Sequence, residues 1–193
     1  MTIEVLPATG DRFDDVVTLL GPKREGAPAC WCLAYHLTSS ENNALHGAAR
    51  PQRLRELCGR DVAPGMIAYD GGEPVGWCAV GPRQEMGRLR RSRTIPAVDD
   101  LPVWSVVCFV VRVGHRGQGI AGRLLDEAVR YAAAAGAPAV EGYPVDSAGS
   151  RISGSLAYVG TTGLFERSGF HRIVETSARS AGLTRWLMRR TLV

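Results

Sequence analysis

One stretch limits the architecture more than any other. Val103 to Val111 is almost wholly apolar, four glycines follow within the nine residues from Gly114 to Gly122, and an amphipathic segment then runs to Gly136. So apolar a strand must be covered on both faces, and a helix that leaves it through a short turn packs back over one of them. In that helix Ile120, Leu124, Ala128, Ala132 and Ala135 share a face, while Arg123, Asp126, Glu127 and Arg130 lie opposite. Gly136 ends it, with Pro138 just beyond.

The remaining segments extend this unit in a consistent order. Residues 3–6 read as a strand, Asp11 to Leu20 as a helix, and Pro51 to Gly59 as a second helix after an irregular stretch. Met66 to Tyr69 and Val75 to Val80 flank Asp70-Gly71-Gly72-Glu73, a turn that closes an antiparallel hairpin. Arg83 to Asp100 is polar and reads as a loop. Beyond the central helix come a strand (Ala139 to Val145), a weaker helix (Leu156 to Arg167) and two closing strands, Phe170 to Thr176 and Arg185 to Thr191. The order βα(α)ββ, βα, βα, ββ is that of an α/β (α+β) fold, and 193 residues suit a single domain spanning 1–193.

Composition excludes more than it selects. With 45% hydrophobic and 22% charged residues the chain is neither disordered nor collagen-like. The net charge of +4 comes from 23 basic residues scattered among 19 acidic ones, without the block that a nucleic-acid partner would require. The longest purely apolar run, Val106 to Val111, is too short to cross a bilayer, and no basic leader precedes an apolar stretch at Met1. Five cysteines, an odd number in largely apolar surroundings, fit free thiols in a reducing cytoplasm.

The glycine-rich turn carries the chemistry. Small residues that lead a strand into a helix start leave several backbone N–H groups aimed outward, where the helix dipole adds positive potential, so a pyrophosphate belongs there. Gly117-Gln118-Gly119-Ile120-Ala121-Gly122 satisfies G-x-G-x-x-G, and Glu141 follows at a ribose-binding distance. A dinucleotide fold nevertheless fails on context. Arg112 to Arg116 separate the first glycine from the strand, and an antiparallel hairpin has no place in a six-stranded parallel sheet.

Phe109-Val110-Val111, then Arg116-Gly117-Gln118-Gly119-Ile120-Ala121, then Leu124-Leu125, resembles the R/Q-x-x-G-x-G/A motif of the GNAT acetyltransferase superfamily. Glu166-Arg167-Ser168-Gly169-Phe170 resembles its later E-x-x-G-F element. The resemblance implies a mixed sheet of about six to seven strands, flanked by helices and splayed where acetyl-CoA enters. It implies that the backbone of Phe109, Val110, Val111 and Val113 pairs with the pantetheine arm. Amides of Arg116, Gly117, Gln118, Gly119, Ile120, Ala121 and Gly122 would hold the pyrophosphate.

It further implies N-acyltransfer to a primary amine, a small molecule or a peptide, by direct attack on the thioester. The family's glutamate on the central strand falls at Ser105, and its thiolate-protonating tyrosine at Phe165. Tyr158 is then the candidate acid and Glu141 the candidate base, with Tyr143 on the same strand face. Without the usual pair, the alternative is a non-catalytic acyl-CoA-binding module. Cys30-x-Cys32 with His36 offers too few ligands for a structural zinc, so no metal is expected. By the same resemblance Trp31, Cys32 and Tyr35 lie near the acceptor groove, and Arg88, Arg90, Arg91 and Arg93 form a loop open to an acidic acceptor or a phosphate. Monomer and homodimer both remain open.

Overall fold

A computed structural model describes residues 2–24, 27–148, 157–180 and 182–192. The elements are β1 (Ile3–Pro7), α1 (Phe13–Leu20), α2 (Ser39–Ala44), α3 (Ala49–Cys58), β2 (Gly65–Asp70), β3 (Glu73–Pro82), α4 (Gly87–Arg90), β4 (Trp104–Val111), α5 (Ile120–Ala134), β5 (Ala139–Gly142), α6 (Thr162–Arg167), β6 (His171–Ser180) and β7 (Leu183–Thr191). Seven strands form one mixed sheet in the order β1-β2-β3-β4-β5-β7-β6. Only β4 and β5 run parallel.

The sheet separates two apolar layers. On one side α5 lays Ile120, Leu124, Leu125, Ala128, Val129 and Ala132 against Val75, Cys78, Val106 and Phe109. On the other, α1, α3 and the Trp31–Tyr35 segment cover Ile67, Trp77 and Val107. Each face excludes water from the central strands, and that burial supplies most of the drive to fold.

Several sequence boundaries shift. Ala135 lies beyond the end of α5 and is exposed, because the helix closes one residue earlier. β5 stops at Gly142, three residues before its expected end, and Val145 makes only isolated bridges to Thr161 and Arg185. Leu156 lies outside the described residues, and the expected 156–167 helix is a 3-10 turn at Ala157–Val159 followed by α6. Gly160 breaks the two apart, and the Thr161 side chain caps α6 by accepting from the Leu164 amide at 3.3 Å. The capping box of Thr38 and Glu41 starts α2, a helix missed because it buries nothing and so has no apolar period.

Candidate active site

The parallel pairing of β4 with β5 extends over only Trp104↔Val140, Ser105↔Glu141 and Val106↔Gly142. From Val107 onward β4 keeps β3 as its neighbour but has no strand on its other edge among the described residues. A register shift opposite Ala79/Val80 leaves Val107 without a partner in β3 and bends β4 at the same point. The sheet is therefore open beside Phe109 and Val111, whose main-chain groups face that edge and can pair with an extended ligand, whereas Val110, expected to share the task, is paired with Trp77 of β3.

At the end of that edge lies the glycine turn. Among the described residues, the amides of Arg116, Gly117, Gln118, Gly119, Ile120 and Ala121 have no hydrogen-bond acceptor in the protein. The amide of Gly122 does have one, bonding to the Gly119 carbonyl at 3.0 Å, so it is committed to the helix. Gly119 caps α5 with φ +79, a left-handed conformation that strains any residue with a Cβ. The side chains brace the turn instead of blocking it: Arg116 Nε donates to the Val111 carbonyl at 3.0 Å and Gln118 Nε2 to that of Gly114 at 2.9 Å. A cluster of unpartnered donors at the start of a 15-residue helix fits a diphosphate. Val113 is 83% exposed beside it.

On the face opposite α5, a groove of about 620 Å³ runs along the bent part of β4. Cys108 and Val110 form its floor, with Cys30, Cys32 and Tyr35 on one wall and Tyr158 and Arg185 on the other. Trp31 is instead buried in the core beneath. Of the arginine loop, Arg88 lines the groove, while Arg90 and Arg91 border a different cavity. Trp31 and Cys32 hold consecutive left-handed conformations, φ 53 and 51, which turn the Cys32 thiol inward. Hydrogen bonding to Cys108 and burial hold that thiol well above its usual pKa, so it stays protonated and is a poor nucleophile. His36 turns away into a small cavity with Arg60 and Pro64, and its ring does not meet the two cysteines there.

Tyr158 is on the 3-10 turn, separate from α6, and is 39% exposed at the groove wall. Phe165 occupies the family's tyrosine position and is fully buried, edge-on to Phe109 and Phe170 with ring centroids 6.1 and 5.0 Å away. Gly142 makes room for it: a Cβ there would sit 2.0 Å from the Phe165 ring. Phe165 thus fills the wedge on the α5 face where β4 and β5 diverge.

Glu141 lies across the ladder from Ser105 and is 1% exposed. It accepts from Arg189 Nη2 at 2.6 Å and from Tyr143 Oη at 3.0 Å, and Arg83 Nε stands 3.7 Å away. With its own proton given to Glu141, Tyr143 Oη accepts from Ser105 Oγ at 2.8 Å, and burial beside the Glu141 charge pushes that phenol well up. Arg189 reaches on to Asp99, and the two carboxylates hold its guanidinium above its usual pKa. Sequence reading missed Arg83, Arg185 and Arg189, since single arginines in a chain with 22 of them carry no local signal.

Residues 31–147 match the acetyltransferase (GNAT) family. The chain belongs to that family. It is an acyl-CoA-dependent N-acetyltransferase with acetyl-CoA as cosubstrate. No curated protein matches the sequence. Solved structures share the GNAT fold over nearly the whole chain. A polyamine N-acetyltransferase from Drosophila melanogaster, which forms N-acetylagmatine, is 14% identical with a TM-score of 0.59, covering 99% of this chain and 100% of its own. A ribosomal-protein-alanine N-acetyltransferase from Brucella melitensis is 18% identical with a TM-score of 0.57 over 98% and 99%. The NatC complex bound to Gag peptide and CoA is 15% identical with a TM-score of 0.56 over the full length of both chains. Such identities establish a common GNAT fold and leave the acceptor of this GNAT enzyme to its own groove.

Proposed function

We propose that this acetyltransferase acylates a primary amine seated in the 620 Å³ groove, with the coenzyme held along the free edge of β4. The observation that carries the reading is the run of six unpartnered amides from Arg116 to Ala121, which begins where the open edge of β4 ends. Those amides and the α5 dipole bind the diphosphate, and the main chain of Phe109, Val111 and Val113 aligns the pantetheine arm. Acetyl-CoA supplies the activated thioester. Tyr158 Oη, at the groove wall, donates a proton to the departing sulfur.

Among the described residues no carboxylate or histidine lines the groove. The acceptor therefore loses its ammonium proton to solvent through the groove mouth and attacks as a free amine. Glu141 acts as an anchor: Arg189, Arg83 and Tyr143 already surround its oxygens, and together they fix the point where β4 and β5 part. The raised Cys32 thiol favours direct transfer over an acyl-cysteine route. Unpaired buried thiols at Cys32 and Cys78 suit a reducing cytoplasm.

The test is calorimetry with acetyl-CoA followed by a thiol-release assay across amines. Micromolar coenzyme binding and amine-dependent thiol release are expected, with kcat/KM rising with pH toward the acceptor's own ammonium pKa of about 10. No heat with acetyl-CoA would overturn the coenzyme site. A rate that levels off near pH 7 would put a protein base back into the mechanism.

A further inference from the structure

Resting on that assignment of the groove, we infer that the acceptor carries a carboxylate as well as its amine, and that Arg185 receives it. Arg185 is 4% exposed and forms part of the groove lining. Its Nε donates to the Tyr143 carbonyl and its Nη1 to Tyr35 Oη, each at 2.7 Å. Its Nη2 is buried and has no partner among the described residues. No carboxylate there lies within ion-pair distance of Arg185, whereas Arg83, Arg172 and Arg189 each have one or two.

A guanidinium taken out of water without a counter-ion is unfavourable unless an anion arrives to complete it. The rest of the groove points the same way. Arg88, Arg179 and Arg185 line it and no aspartate or glutamate does, so an acceptor with a cationic tail meets only repulsion. Arg88 and Arg185 both lie against Tyr35, their guanidinium carbons 5.5 and 6.0 Å from its ring centroid. A carboxylate takes the one free nitrogen of Arg185, and Arg88 in the same lining adds positive potential. The apolar floor of Cys108, Val110 and Leu89 takes the carbon skeleton between the two polar ends.

The experiment compares amino acids and β-alanine with their decarboxylated amines as acceptors for the full chain, at saturating acetyl-CoA. The best acceptor is expected to lose about ten- to a hundredfold in kcat/KM when its carboxylate is removed or amidated. A best acceptor that lacks an anion, or pairs that react equally, would overturn the inference while leaving the transferase reading intact. Should no amine react, calorimetry of the N-acetylated acids and N-acetylated amines on the CoA-saturated chain decides. Heat only with the acids upholds the carboxylate site and counts against amine transfer, and no heat with either overturns the site.

Arg185→Gln should raise KM for the carboxylate acceptor about tenfold with KM for acetyl-CoA unchanged. Because Arg185 also ties Tyr143 to Tyr35, the exposed Arg88→Gln provides a second variant. It should raise the same KM about threefold and melt like the native chain. Unchanged acceptor KM in both variants would refute the assignment.

Discussion

The two proposed ligand-binding regions on either side of β4 are built by opposite means. The coenzyme side is one continuous stretch, from the free edge of β4 through the glycine turn into α5, and it offers main-chain groups. The acceptor groove collects side chains from Cys30–Tyr35, Arg88–Ile95, β4, Tyr158, Ser177–Arg179 and Arg185. Main-chain recognition needs only a backbone path, which glycine and helix periodicity set locally. Side-chain recognition needs distant segments to arrive together, so it can vary without disturbing the coenzyme site. Ser105, Glu141 and Tyr143 sit at the seam between the two, where the strands part.

The largest expected effect tests that seam. Glu141→Gln leaves Arg189 and Arg83 buried beside a neutral group and should cost about 3–5 kcal/mol in denaturant-measured stability. Coenzyme affinity should change by less than about threefold in the folded fraction, since the phosphate amides belong to another element. A parallel collapse of coenzyme binding would break the division between the two regions.

Acid sensitivity should come from neither region but from His36, in its separate small cavity. Burial, reinforced by the Arg60 charge, lowers His36 to about 4. The unfolded chain, with His near 6.5, therefore binds more protons between those two values, and stability falls as pH drops from about 6.5 to about 4. The loss reaches up to about 3 kcal/mol at 1.36 kcal/mol per unit. His36→Gln should flatten that part of the stability–pH curve, and an unchanged acid limb would assign it to another group.

Gly119→Val sharpens the coenzyme half. Nothing stands within 4 Å of the added Cβ, so the fold should survive, but φ +79 is strained for valine and the turn must shift. Acetyl-CoA affinity should fall by about a hundredfold, about 2.7 kcal/mol, in calorimetry. Native affinity in a folded variant would remove the phosphate contact. The smallest effect is at Tyr158→Phe, expected to lower kcat about tenfold with both KM values held. Wild-type turnover would dismiss Tyr158 as the acid.

Legibility in the sequence followed the same division. The α5 stripe and the glycine turn were readable because each depends on residues one to four positions apart. The Tyr158 helix was misjudged because the apolar spacing through Leu164 and Phe165 continues past Gly160, whose φ of +77 ends any helix there. Glu141 reads from the sequence as the candidate base, since Arg189, 48 positions away, is brought beside it only by the β5–β7 ladder. Arg185 gave no signal at all, for its partners Tyr35 and Tyr143 are 150 and 42 positions distant.

By itself the sequence determined the order of the strands, the helix that covers the central strand and the turn that presents free amides to a phosphate, because all three follow from short-range geometry and the water-avoiding face of one helix. Tertiary structure alone decided which charges are paired and which is left without a counter-ion. Electrostatic partnership depends on distance in space and on exclusion of water, and neither quantity is written in the spacing of residues along a chain.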